Sequence, residues 1–210
     1  MLNVFIDGAL KADRTLILAH GAGAGKDHYF MNFFARELAT DQFRVVRFDF
    51  PYMARSRLTG KRTPPDRQIK LMTSWQEIIS KFRTKELIIG GKSLGGRIAS
   101  IIADSQGVDG LVCLGYPFHA PGKFDRPRVA HLRLLQTPTL ICQGTRDPFG
   151  NIDDVGTYQL PENIFFKWLK DGDHSFKPRK SSGLTEADNL STSLKAVKTF
   201  SQNLFEGKKT

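Results

Sequence analysis

Short, almost wholly apolar runs alternate with amphipathic stretches along this chain, and that alternation constrains the fold more than any other feature. The β-rich runs fall at residues 15–19, 43–48, 87–89, 111–114, 139–142 and 164–168. Between them, residues 29–39 carry Phe30, Phe33, Phe34 and Leu38. Residues 67–83 carry Ile69, Met72, Trp75, Ile78, Ile79 and Phe82, and residues 186–205 carry Leu190, Leu194, Val197 and Leu204. Spacings of three and four put each set on one face of a helix. Strands that are apolar at nearly every position must be covered on both sides, so the pattern predicts a mostly parallel sheet inside a three-layer α/β/α sandwich. A chain of 210 residues is long enough to bury one core, and no linker or repeat divides it, so a single domain over 1–210 is expected. The Pro- and Gly-rich segments 51–66 and 117–128 read as loops of the kind that border sites.

One junction carries chemistry. Gly91-Lys92-Ser93-Leu94-Gly95 spells G-x-S-x-G between the apolar run 86–90 and the helix-forming stretch 97–104. A turn this tight from strand to helix forces the serine into strained backbone angles, and the positions two residues before and after it must be glycine because a side chain there would clash. Such an exposed serine is a candidate nucleophile, which needs a base and an acid to orient the base. The elbow resembles that of the α/β-hydrolases, and the resemblance implies partners in the order Ser, Asp or Glu, His, each on a loop after a later strand. Asp147, after the run 139–142, and His174, after the run 164–168, meet that rule; Asp171 and Asp173 compete with Asp147 for the orienting role. The oxyanion formed by attack needs main-chain donors. The glycine-rich loop at residues 20–25 offers Ala22, and the residue after the nucleophile offers Leu94.

The chain resembles the dienelactone-hydrolase-like α/β-hydrolases, and more closely their branch of testis-expressed and NSL-chromatin-complex-subunit proteins with many small bacterial members. The blocks that carry the resemblance are residues 18–23, 47–52, 90–96, 113–119, 143–149 and 171–176, spread over nearly the whole chain. It implies the α/β-hydrolase fold and leaves the substrate open. Dienelactone hydrolases typically place cysteine at the elbow, where this chain has Ser93, so lactone hydrolysis is not implied. The resulting expectation is a serine hydrolase cleaving a small ester or thioester through an acyl-enzyme. The alternative is a hydrolase-shaped interaction module with an idle triad.

Other classes find little support. Gly90-Gly-Lys-Ser93 resembles the end of a Walker A loop, but the required earlier glycine falls on Glu86; G-x-G-x-x-G begun at Gly21 or Gly23 fails at Lys26 or His28. No cofactor and no metal are expected. Cys113 and Cys142 sit in apolar runs and read as small hydrophobes. No apolar stretch approaches the roughly 20 residues that span a bilayer. The stretch 1–8 lacks the features of a secretory leader, so the default expectation is a cytoplasmic protein.

The net charge of +10 is concentrated in loops around 55–70, 123–133 and 177–180. A basic rim that steers anionic esters, visible as salt-sensitive turnover, and a merely solvated cationic surface are both open. Nucleic-acid binding is not expected, since no recognised module accompanies the charge. The segment 115–138 is too short for a large cap domain, so an open cleft is expected, walled by Tyr52, Met53, Tyr116, Phe118, Phe149 and Phe176. Among the remaining histidines, His20 is placed beneath the oxyanion loop and His119 at the pocket edge, with His28 and His131 as surface or capping residues.

Overall fold

The computed structural model describes residues 4–206; residues 1–3, part of the stretch read for a leader, and 207–210 lie outside the described residues. Seven strands form one sheet: β1 (Val4–Asp7), β2 (Arg14–Ala19), β3 (Phe43–Phe48), β4 (Glu86–Lys92), β5 (Gly110–Leu114), β6 (Thr139–Gly144) and β7 (Ile164–Leu169), in the order β1-β3-β2-β4-β5-β6-β7. All neighbours run parallel except β1, which pairs antiparallel with β3. The helices are α1 (Tyr29–Leu38), α2 (Pro51–Thr59), α3 (Gln68–Phe82), α4 (Leu94–Gln106), α5 (Ile152–Gly156) and α6 (Glu186–Glu206).

The period-two geometry of the strands divides the core in two. Leu16 and Leu18 of β2, Ile88 of β4 and Val112 and Leu114 of β5 pack with Phe30 and Phe34 of α1 and Leu190, Val197 and Phe205 of α6. The intervening residues Ile17, Ala19, Leu87, Ile89, Leu111 and Cys113 pack with Trp75, Ile78 and Ile79 of α3 and Ile98 and Ile102 of α4. This is the minimal three-layer form of the α/β-hydrolase fold. Between β5 and β6 the chain makes only a short 3-10 turn at Leu132–Leu134, so no large cap covers the sheet edge.

Three elements depart from the sequence reading. The segment 51–66 is not all loop, because α2 occupies its first half. Pro51, preset for the first helical turn, follows the extended Phe50, and left-handed Gly60 ends the helix. Only Tyr52 of α2 is buried, so the helix has no apolar stripe to read. Strand β1 and helix α5 lie outside the expected pattern too, β1 being four residues long and at the sheet's edge and α5 only five residues long.

Candidate active site

The elbow after β4 has the expected strain: Ser93 stands at φ 50°, ψ −113°, a left-handed conformation that L side chains seldom adopt. It is held from both sides, because Ser93 N–H donates to Leu114 O at 3.1 Å while Ser93 O accepts from Arg97 N–H at 3.0 Å. A Cβ on either Gly91 or Gly95 would collide with the Ala19 carbonyl oxygen of β2, so the crossing admits only glycine.

The loops after β6 and β7 deliver the partners. His174 Nδ1 lies 2.8 Å from Asp147 Oδ2, and His174 Nε2 lies 2.9 Å from Ser93 Oγ. A carboxylate only accepts, so Nδ1 carries the proton and Nε2 is left to accept from the Ser93 hydroxyl. Asp147 is wholly buried, and its two oxygens also accept from Gln143 Nε2 (2.9 Å) and Phe149 N–H (2.9 Å). The competing carboxylates are engaged elsewhere. Asp171 binds Arg179 and Arg146, and Asp173 accepts from Ser175 and Lys177 N–H. Burial lowers the His174 pKa below its ordinary value; the hydrogen bond to Asp147 opposes this, and the nearby Lys92 charge adds to it. The imidazole is therefore neutral at pH 7.

The glycine-rich loop after β2 is pinned from below. His20 Nδ1–H donates to Gly21 O at 2.7 Å, Tyr52 O–H donates to the same oxygen at 3.2 Å, and Phe50 N–H donates to His20 Nε2 at 3.0 Å. In a trans peptide C=O and N–H point in opposite directions, so anchoring the Gly21 carbonyl turns the Ala22 N–H away from the core. Among the described residues, neither Ala22 N–H nor Leu94 N–H has a hydrogen-bond partner in the protein. The latter opens α4, where the first N–H groups lack intrahelical acceptors.

These groups meet at a cleft of about 350 Å³ lined by His20, residues 21–24, His28, Tyr29, Phe30, Met31, Lys92, Ser93, Phe149, His174 and Ser175. A larger groove of about 780 Å³ between β7 and α6 contains none of Ser93, Asp147 or His174. The expected aromatic wall is largely corrected. Only Phe149 borders the cleft, its ring centroid 4.3 Å from that of His174. Tyr52, Tyr116, Phe118 and Phe176 are fully buried core residues, and Met53 packs against the core. The wall comes instead from the start of α1, whose apolar stripe the sequence does show. His119 is likewise buried, paired with Asp154, rather than at the cleft's edge. His131 is partly buried against Ser100 and Tyr116, and His28 lines the cleft just before α1.

Three groups escaped the sequence reading. Gln143 is wholly buried; its amide donates to Asp147 Oδ2, Tyr116 O and Gly150 O, while its oxygen accepts from Tyr116 N–H. Its one signal is a polar residue in the buried strand β6, four before the aspartate. Asp49 is the second, accepting from Lys26 N–H and Nζ and from Arg57 Nε. Lys92 is the third. Its Nζ donates to His174 O at 2.6 Å.

A family model described as an alpha/beta hydrolase domain matches residues 12–202. The chain belongs to the alpha/beta hydrolase domain family. Solved structures agree at the level of fold. An alpha-beta serine hydrolase homologue from Coxiella burnetii is 18% identical with a TM-score of 0.68, over 97% of this chain and 91% of that one. Est1E from Butyrivibrio proteoclasticus is 13% identical with a TM-score of 0.74, over 98% and 95%. A dienelactone hydrolase from Anabaena variabilis is 16% identical with a TM-score of 0.64, over 92% and 89%. For this alpha/beta hydrolase, none of the described helices is long and apolar enough to cross a membrane.

Proposed function

We propose that the chain is a serine hydrolase that cleaves a small ester or thioester through an acyl-enzyme. The observation that carries this reading is the unbroken hydrogen-bond relay from Ser93 Oγ through the His174 ring to Asp147. His174 Nε2 takes the hydroxyl proton as Ser93 Oγ attacks the carbonyl carbon. The developing imidazolium is stabilised by Asp147, which stays ionised. The negative charge moves onto the former carbonyl oxygen, where Ala22 and Leu94 N–H are its donors; a single donor of this kind is worth about 3 kcal/mol of barrier. Collapse expels the alcohol or thiol with the proton returned from Nε2, and water repeats the sequence on the acyl-enzyme.

The cleft volume and its lining by Tyr29, Phe30, Met31 and Phe149 suit a small apolar acyl group in an open site. Placement in the branch of testis-expressed and NSL-complex-subunit relatives, and a cytoplasmic home, rest on the sequence blocks and composition alone.

The test is a rapid-mix assay with p-nitrophenyl acetate. A burst approaching one equivalent of p-nitrophenol per chain, followed by slower turnover, is expected, and Ser93→Ala abolishes it. Equal turnover by the variant and the unmodified protein would contradict the assignment of the nucleophile.

A further inference from the structure

Lys92 sits inside the elbow, yet attack, proton transfer and oxyanion binding as described need no cation there. Its side chain runs beside the oxyanion loop, with Cγ 3.6 Å from where a Cβ on Gly21 would stand. Its ammonium then enters a fitted socket. Nζ donates to the His174 carbonyl at 2.6 Å and lies 5.7 and 5.8 Å from the ring centroids of Phe30 and Phe176, distances at which an aromatic face attracts a cation. The fourth wall is Gly115, left-handed at φ 69°, where a Cβ would come within 2.8 Å of Nζ and 3.0 Å of His174 O. The socket thus draws on α1, the turn after β5 and the base loop, and it holds a charge beside the imidazole.

We propose that Lys92 is a positioning residue for the base: it ties the His174 main chain to the elbow and sets a positive charge beside the imidazole. The proposal rests on the serine-hydrolase reading only in calling His174 the base. Two electrostatic relations support it. Burial pushes the Lys92 ammonium down to about 8, with Asp147 and Asp173 opposing, so it is mostly charged at pH 7 and releases its proton within an accessible range. The groups acting on His174 are Asp147 and Asp173, which raise its pKa, and Lys92, which lowers it in concert with burial. A neutral side chain at position 92 therefore shifts His174 towards the protonated form.

The decisive readout is the NMR titration of the His174 Cε1–H in the unmodified protein, Lys92→Met and Lys92→Arg. The midpoint moves to higher pH in Lys92→Met and stays low in Lys92→Arg. In parallel, the rate of p-nitrophenyl acetate acylation at pH 7 falls about tenfold in Lys92→Met, a loss of the size produced by modest misplacement of a reacting group, and part of it returns as pH is raised. A merely packing role would lower the rate without moving the midpoint, and an unchanged midpoint in Lys92→Met overturns the proposal. Should Lys92→Met fail to fold, the unmodified protein decides. Its His174 resonance shows a second inflection near pH 8 as Lys92 deprotonates, and a single-step titration contradicts the link. Because the titration needs no turnover, an inert protein would count against the hydrolase reading while leaving the Lys92–His174 link to be judged on its own.

Discussion

Ser93 is held at backbone angles that cost about 1–3 kcal/mol for a residue bearing a Cβ, and the surrounding structure imposes them. The strain places Oγ in line with His174 Nε2 instead of serving stability. Ser93→Gly relieves it, because glycine adopts positive φ freely, although glycine also loses more backbone entropy on folding. Urea unfolding is expected to show a net gain of about 1 kcal/mol in Ser93→Gly, together with complete loss of the proposed ester hydrolysis. A variant less stable than the unmodified protein would mean that the elbow is not strained. The same scale explains which of the proposed catalytic residues were legible. Ser93, Asp147 and His174 each announce themselves by place, one in a glycine-flanked turn and two just beyond a strand. Gln143 and Lys92 do not, because their roles depend on carbonyls and a carboxylate brought near by the fold, and a polar residue at a strand's end has many local explanations.

At the scale of elements, the glycine-rich loop after β2 is anchored by a network that α2 completes. Asp49 follows β3, Lys26 precedes α1, and Arg57 reaches from α2 to both Asp49 and Asp27. Asp49 and Lys26 have side chains only 1% and 3% exposed, so each needs the other. Burial alone would raise the Asp49 carboxyl pKa, but the hydrogen bonds from Lys26 outweigh it and hold it below the usual range. With a folded value below the unfolded one, the stabilisation is complete above the unfolded carboxylate's titration and is lost as pH falls through the folded value. Asp49→Asn leaves the Lys26 ammonium buried without its counter-charge, and breaking such a pair costs about 3–5 kcal/mol. Chemical denaturation at pH 7 should register that loss, with the gap to the unmodified protein narrowing at acid pH. A gap under about 1 kcal/mol at pH 7 would show that the network is not a structural anchor. None of this was readable from residues 51–66, because α2 buries one side chain and carries its purpose in the position of Arg57.

Over the whole molecule, alternating apolar runs and amphipathic stretches were enough to set the sheet and its two covered faces, because parallel strands buried on both sides leave no other periodicity, and the short segment 115–138 was enough to exclude a large cap. The edge strand β1 and the inner wall of the cleft were not readable. An aromatic in a loop such as Phe118 or Phe176 can turn towards the core as easily as towards solvent, and tertiary packing decides. Part of the basic charge around residues 55–70 and 177–180 is already neutralised: Arg55 and Lys70 pair with Asp66, Arg57 with Asp27 and Asp49, and Arg179 with Asp171.

On the proposed reading, sheet, elbow and loops converge to make one serine hydroxyl nucleophilic. Labelling the folded protein with a fluorophosphonate and mapping the adduct by mass spectrometry tests it most directly. A single adduct on Ser93 is expected, lost in Ser93→Ala and strongly slowed in His174→Ala. An unlabelled protein, or an adduct on any other residue, would contradict it.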